Sequence, residues 1–138
     1  MSETEDPDIA LVLEAFRAFE VREGTLEDYF ARFYAPDGVL EFVDGFPIPG
    51  SYQGVDGFRE WYADSYGPYD DVRRELVSIA KHGDRVVVLL NISGRPKGED
   101  LDLELQVGNT YELAGGRIKH LRVYLGHQRA AEAARDGA

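Results

Sequence analysis

The chain has 138 residues, of which 43% are hydrophobic and 12% aromatic, enough apolar material to bury a core and too much for a disordered segment. Fifteen Lys and Arg against 26 Asp and Glu leave a net charge of −11, which repels phosphate backbones and anionic lipid, so neither nucleic acid nor a membrane is expected as a partner. The lack of cysteine excludes disulfides, a thiolate nucleophile and Cys-ligated zinc, and with an acidic start and no apolar run of spanning length it points to a cytoplasmic protein.

Residues 1–6 read as a tail whose last member, Asp6, caps a helix with Pro7 in its first turn. Ile9, Val12, Leu13 and Phe16 follow at helical spacing, and the helix is expected to run to about Arg22 before Gly24. Thr25 with Asp28 resembles a capping box and opens a second helix striped by Leu26, Tyr29, Phe30 and Phe33. Ala35-Pro36-Asp37-Gly38 should break it, leaving a short strand from Val39 to Asp44. The stretch GFPIPGSYQG, Gly45 to Gly54, reads as a loop. A third helix is expected over Val55–Ser65, turning Phe58, Trp61 and Tyr62 inward.

From Val72 the pattern changes to strands. Val72–Lys81 leads through His82-Gly83-Asp84 into Val86–Leu90, which is apolar at every position, as in a strand buried on both faces. Two long strands then fold at Ala114-Gly115-Gly116, where the glycines supply the positive φ of a tight turn. Leu101, Leu103, Leu105 and Val107 alternate with Asp102, Glu104 and Gln106, predicting one buried and one polar face. After the turn, strict alternation groups Ile118, His120, Arg122 and Tyr124 against Lys119, Leu121, Val123 and Leu125. Residues 128–138 form a second tail, its alanine-rich part able to make a short helix. Helices first and antiparallel strands after, without repeat or linker, define one α+β domain over residues 1–138.

Four pieces in this order resemble the SnoaL-like branch of the NTF2-like superfamily: YAPDGVLEF (Tyr34–Phe42), YQGVDGFREWY (Tyr52–Tyr62), GDRVVVLL (Gly83–Leu90) and GGRIKHLRVYL (Gly115–Leu125). The resemblance implies a cone-shaped roll, N-terminal helices packed on a strongly curved, mainly antiparallel sheet, with an apolar pocket at the wide end. It also implies a homodimer formed through the outer face of the sheet. The superfamily includes ketosteroid isomerases, polyketide cyclases, dehydratases, epoxide hydrolases and non-catalytic binding domains, so the fold does not give the function. The ketosteroid isomerase constellation is missing: Phe42 stands in place of the aspartate base, Ala18 or Phe19 in place of the oxyanion tyrosine, and Gly108 or Asn109 in place of the protonated aspartate.

Asp44 returns to the face of Phe42 and can serve as a base at a pocket mouth, since burial raises a carboxylate pKa toward the range of proton abstraction; Asp44-Gly45 is equally a common turn dipeptide. Asn109 and Tyr111 can polarise a carbonyl or an enolate oxygen, or be plain sheet residues. Gly108 leaves their face open, because a glycine inside a strand often marks a bulge. Phe16, Phe42, Trp61, Tyr62, Leu121 and Val123 are the expected apolar lining, the aromatics being core residues first. Phe46, Pro47, Ile48, Pro49 and Tyr52 suggest a lid, a partner contact or edge packing. His82, His120 and His127 show no metal spacing, a His120–Asp102 pair is conceivable, and neither metal nor cofactor is expected. Three function classes follow: a cofactor-free isomerase, cyclase or dehydratase acting on a small apolar carbonyl compound; a binder of an apolar metabolite; or an interaction module using His120, Arg122 and Tyr124 on the outer sheet face.

Overall fold

The computed structural model describes residues 6–21, 24–43 and 50–135. Among them the element order is α1 (Pro7–Glu20), α2 (Leu26–Phe33), β1 (Tyr34–Phe42), β2 (Gly50–Gln53), α3 (Gly54–Tyr66), β3 (Tyr69–His82), β4 (Arg85–Pro96), β5 (Leu103–Ala114), β6 (Arg117–Leu125) and α4 (His127–Arg135). The fold is α+β: helices packed on one curved, six-stranded sheet of order β2-β1-β6-β5-β4-β3, antiparallel except for the β1–β6 pair. Among the described residues no helix is long and apolar enough to cross a membrane.

Local chemistry accounts for the helix starts. The Asp6 carboxylate accepts from the backbone N–H groups of Asp8 (2.9 Å) and Ile9 (3.2 Å), and Thr25 Oγ1 accepts from that of Asp28 (3.1 Å), so both caps satisfy donors that a first turn leaves unpaired. Helix α1 stops at Glu20, slightly earlier than its apolar period suggests. Ala35–Gly38 does not separate α2 from a strand. It lies within β1 as an irregularity between the Tyr34↔Ile118 and Val39↔His120 pairs, where Pro36 has no N–H to donate.

Helices α1–α3 cover one face of the sheet, here the inner face. Ile9, Val12, Phe30, Phe33 and Phe58 pack there against Leu40, Val86, Val88, Leu90, Val107, Tyr111, Ile118, Leu121 and Val123. Two features of the long hairpin depart from strict alternation. A register shift between Glu112↔His120 and Leu113↔Ile118 gives β6 an extra residue at Lys119, so Ile118 is fully buried with Leu121 and Val123 rather than grouped with His120. Leu101, Leu103 and Leu105 are exposed, not buried. The β5–β6 ladder ends at Val107↔Leu125, with one further bond from the Gly126 N–H to the Gln106 carbonyl, so Leu103 and Leu105 have only β4 paired beside them. Gly115 and Gly116 make the turn with φ of 60° and 75°, as their sequence requires.

The outer face carries α4. The alanine-rich C-terminal stretch docks instead of trailing: Ala130 is fully buried, and a Cβ built on Gly108 would lie 2.1 Å from the Ala130 Cβ. Gly108 is therefore a close-approach glycine. The β4–β5 register runs unbroken from Arg85↔Glu112 to Gly94↔Leu103, with no bulge at this position.

Candidate functional site

The unbroken register of β5 decides which way its polar residues face. Val107, Asn109 and Tyr111 alternate with Gly108 and Thr110, and because Gly108 abuts α4 outside, Asn109 and Tyr111 face inward with the core. Asn109 belongs to a cross-strand row with Val88 on β4, Val123 on β6 and Phe42 on β1. Tyr111 sits in the next row with Val86, Leu121 and Leu40. Asn109 is 7% exposed and Tyr111 also 7%, so a polar pair is enclosed by aliphatic neighbours.

Asn109 Nδ2 donates to Tyr111 Oη at 3.3 Å. The Asn109 Oδ1 is buried without a partner, and the Tyr111 hydroxyl accepts this bond while its own proton has no acceptor among the described residues. Burial pushes the Tyr111 pKa up, against smaller downward pulls from the Asn109 bond and the Arg74 charge, so the phenol stays protonated and able to donate at neutral pH. An orphaned buried acceptor costs about 1–3 kcal/mol, a penalty that a bound donor relieves. One acceptor and one donor at adjacent positions suit a compound that presents both, such as a carbonyl beside a hydroxyl.

The helices supply an aromatic wall. Phe19 of α1 is 6.0 Å from Trp61, 6.1 Å from Tyr62 and 5.6 Å from Tyr66 between ring centroids; Trp61 is 5.2 Å from Phe58; Tyr62 stacks on Tyr66 at 4.9 Å. Trp61 Nε1 is a second buried polar atom without a partner. Into this wall β3 inserts Arg74, whose guanidinium lies 4.4 Å from the Phe16 ring centre and 4.7 Å from that of Phe19. Burial pulls its pKa down, and the opposing influence of Tyr66, Glu20 and Tyr111 more than compensates, leaving a raised value and a permanent cation. Tyr34 and Tyr66 are likewise held above the usual tyrosine range, chiefly by burial.

Of the residues singled out by sequence, the structure brings Asn109, Tyr111, Leu121, Val123 and Phe42 together on neighbouring strands, and places Phe16, Trp61 and Tyr62 in the helical wall. Phe42 reaches Tyr52 edge-on at 6.3 Å. Asp44, the expected base, and Phe46, Pro47, Ile48 and Pro49 lie outside the described residues. Among the described residues the buried polar or charged side chains are Asn109 and Thr110, and no carboxylate joins them. His120 does not pair with Asp102. Its Nε2 is 3.0 Å from Glu41 Oε1, which also meets Arg122 Nε at 3.4 Å, while Asp102 engages Arg95. Tyr124, offered as part of an exposed outer surface, is 6% exposed on the face that α4 occupies. Arg74 and Tyr34 were missed; the available signal was that Arg74 shares a strand face with Leu76, which pairs with Leu90 of the core.

Helices packed on a curved, mostly antiparallel six-stranded sheet give the chain an NTF2-like fold. The SnoaL-like domain model matches residues 12–121, and the chain belongs to that family. TerC, in a crystal structure with polyporic acid, is 17% identical, with a TM-score of 0.73 over 94% of this chain and 98% of TerC. A protein of Jannaschia sp. CCS1 described as a SnoaL-like polyketide cyclase is 16% identical, with a TM-score of 0.72 over 100% of this chain and 97% of the other. An NTF2-like protein of Burkholderia thailandensis E264 is 20% identical, with a TM-score of 0.74 over 92% and 95% of the two chains. At such identities the likeness is one of fold. No curated protein matches the sequence.

Proposed function

We propose that the inner face of the sheet binds a small, mostly apolar compound whose oxygen functions are held by Tyr111 and Asn109. The observation that carries this reading is the buried Asn109–Tyr111 pair, which keeps an unpaired acceptor and an unpaired hydroxyl proton among aromatic and aliphatic side chains. A structural polar pair would be expected to close its own hydrogen bonds. That TerC crystallised with a small molecule, polyporic acid, on the same fold supports the same kind of ligand. In this reading the compound lies between β5–β6 and the α1–α3 wall and takes Phe42, Trp61, Tyr62, Phe16, Leu121 and Val123, all part of or packed against the core, as its apolar contacts.

With Asp44 as the base, this arrangement supports cofactor-free isomerisation, cyclisation or dehydration next to a carbonyl. Asp44 takes the proton and the neutral Tyr111 hydroxyl, with Asn109 behind it, stabilises the enolate oxygen. A second reading, binding without turnover, is favoured by one observation: among the described residues no carboxylate is buried on the inner face.

A thermal-shift screen against polyketide-like aromatics, steroids, terpenoid epoxides and fatty acids tests the site. A ligand at one hundred times its Kd adds about 2.7 kcal/mol, several degrees of Tm for a domain of this size. Tyr111→Phe and Asn109→Leu are expected to lose that shift, and its persistence in both variants would refute the assignment. For any hit that is turned over, Asp44→Asn decides between the readings: activity that survives it removes Asp44 as the base, and tight binding without turnover in the wild type leaves the binder.

A further inference from the structure

Arg74 is an unusual residue for the interior of an aromatic wall, and the use of its hydrogen-bonding groups is incomplete. Its side chain is 11% exposed and held flat by two rings of α1, Phe16 and Phe19. The Nε–H donates to Glu20 Oε1 at 2.7 Å, and Nη2 makes a long contact of 3.4 Å with the Phe16 carbonyl oxygen. Both of these groups are turned to α1. Nη1 has no partner among the described residues, so a guanidinium that can offer five N–H donors is committed on one side only.

Arg74 also shares its sheet face with the Asn109–Tyr111 pair: it pairs with Ile92, which pairs with Leu105. Its charge is felt by Tyr34, Tyr66 and Tyr111, three phenols from β1, α3 and β5. Glu20, its one counter-ion among the described residues, is 41% exposed at the end of α1 and meets it only through Nε. A chain of net charge −11 has thus placed a fixed, partly unpaired cation among aromatic and phenolic groups, at the cost of desolvating it. Arg pairs in a planar, two-pronged manner with carboxylates and similar oxyanions, and the Nη edge is the part suited to it.

We infer that Arg74 recognises an anion, and that the compound bound at the inner face carries an ionised acidic group, a carboxylate or an acidic enol, beside its apolar body. The inference rests on the inner face being a ligand site. It assigns the anionic end of the compound to Arg74 and the carbonyl or hydroxyl end to Asn109 and Tyr111. Glu20 then acts as an internal competitor that moderates the attraction from the other side of the guanidinium.

Titration calorimetry with three matched pairs, benzoate, 2-naphthoate and biphenyl-4-carboxylate each against its methyl ester, tests it on the whole chain. The best-fitting acid is expected to bind the wild type about tenfold or more tighter than its ester, as a desolvated charge-assisted pair should. In Arg74→Gln that preference disappears while the ester still binds. Because Arg74→Gln removes a stacked side chain and can fail to fold, Glu20→Gln supplies the second arm at a half-exposed position: the acid should tighten by about threefold or more, with the ester unchanged. Equal binding of acid and ester by the wild type, or an acid affinity indifferent to Glu20→Gln, overturns the role of Arg74 and leaves the ligand site standing. If none of the six probes binds, the ligand site falls, and this inference with it.

Discussion

Strand β5 sends alternate residues into two different environments, and the contrast between the faces separates what holds the fold from what is available for chemistry. Inward, Val107, Asn109 and Tyr111 meet helices built from rings, and polar atoms are left without partners. Outward, Gly108 has given up its side chain so that Ala130 of α4 can lie directly on the strand, and nearby β6 makes ordinary ion pairs with β1. The outer face is closed by size matching at Gly108 and leaves the buried Thr110 Oγ1 without a partner; the inner face is filled by large rings and leaves Asn109 Oδ1 and Trp61 Nε1 unpaired. The same backbone ladder serves both, so the faces can be perturbed separately.

Breaking the inner face should cost most. Phe58 is fully buried and its ring lies within 5.8 Å of Tyr29, Phe30, Tyr34 and Trp61. Phe58→Ala is expected to lose about 3–5 kcal/mol in urea denaturation and to collapse the wall on which a ligand would rest. The outer face should cost less and leave the inner one intact. Gly108→Ala forces a methyl into the Ala130 Cβ, a loss of about 1–3 kcal/mol. Pairing it with Ala130→Gly should recover part of that loss despite the poorer helix former, and a double-mutant cycle in which the two changes simply add would refute the contact.

The fold was legible wherever one periodicity or one cap decided it: Asp6 and Thr25 start the helices, the glycines at 115 and 116 turn the hairpin, and the apolar run Val86–Leu90 of β4 is buried except at the half-buried Leu89. Three features escaped for physical reasons. A single extra residue at Lys119 moves Ile118 to the opposite face, and strand periodicity has no signal for where a bulge falls. Gly108 reads as a bulge or bend in sequence, and its close approach shows only through its partner, Ala130, 22 positions later in a stretch that reads as a tail. Arg73-Arg74 in a strand looks like solvated charge, and only the rings stacked on Arg74 show otherwise. Asn109 and Tyr111 could be named from sequence; the direction they face could not.

The buried phenols sharpen the inner side of the comparison through pH. Tyr34 and Tyr111 are raised above their ordinary value of about 10, mainly by burial, whereas in the unfolded chain they ionise near that value. A raised folded-state pKa means stability that is complete below the unfolded value and is lost as pH rises past it. Stability measured by urea denaturation should therefore fall from about pH 10 upward, each pH unit being worth about 1.4 kcal/mol per tyrosine while only the unfolded form ionises. Tyr111→Phe should flatten this alkaline limb, and an unchanged slope would show that the phenol is not held neutral by the inner face.

The smallest effect should come from the outer edge. Glu41 holds both His120 and Arg122 across the parallel β1–β6 pair, but its side chain is 38% exposed and theirs are 22% and 24% exposed. Half-solvated pairs of this kind contribute about 0–1 kcal/mol, because the charges remain largely hydrated and screened by salt. Glu41→Gln should therefore shift the urea midpoint slightly, with the difference shrinking further in high salt, and leave inner-face ligand binding unaltered. A loss of several kcal/mol, or a changed ligand affinity, would mean that the charged edge and the inner site are coupled through Val39–Phe42. In that case the two faces of the sheet would no longer be independent, and perturbations of one could not be read without the other.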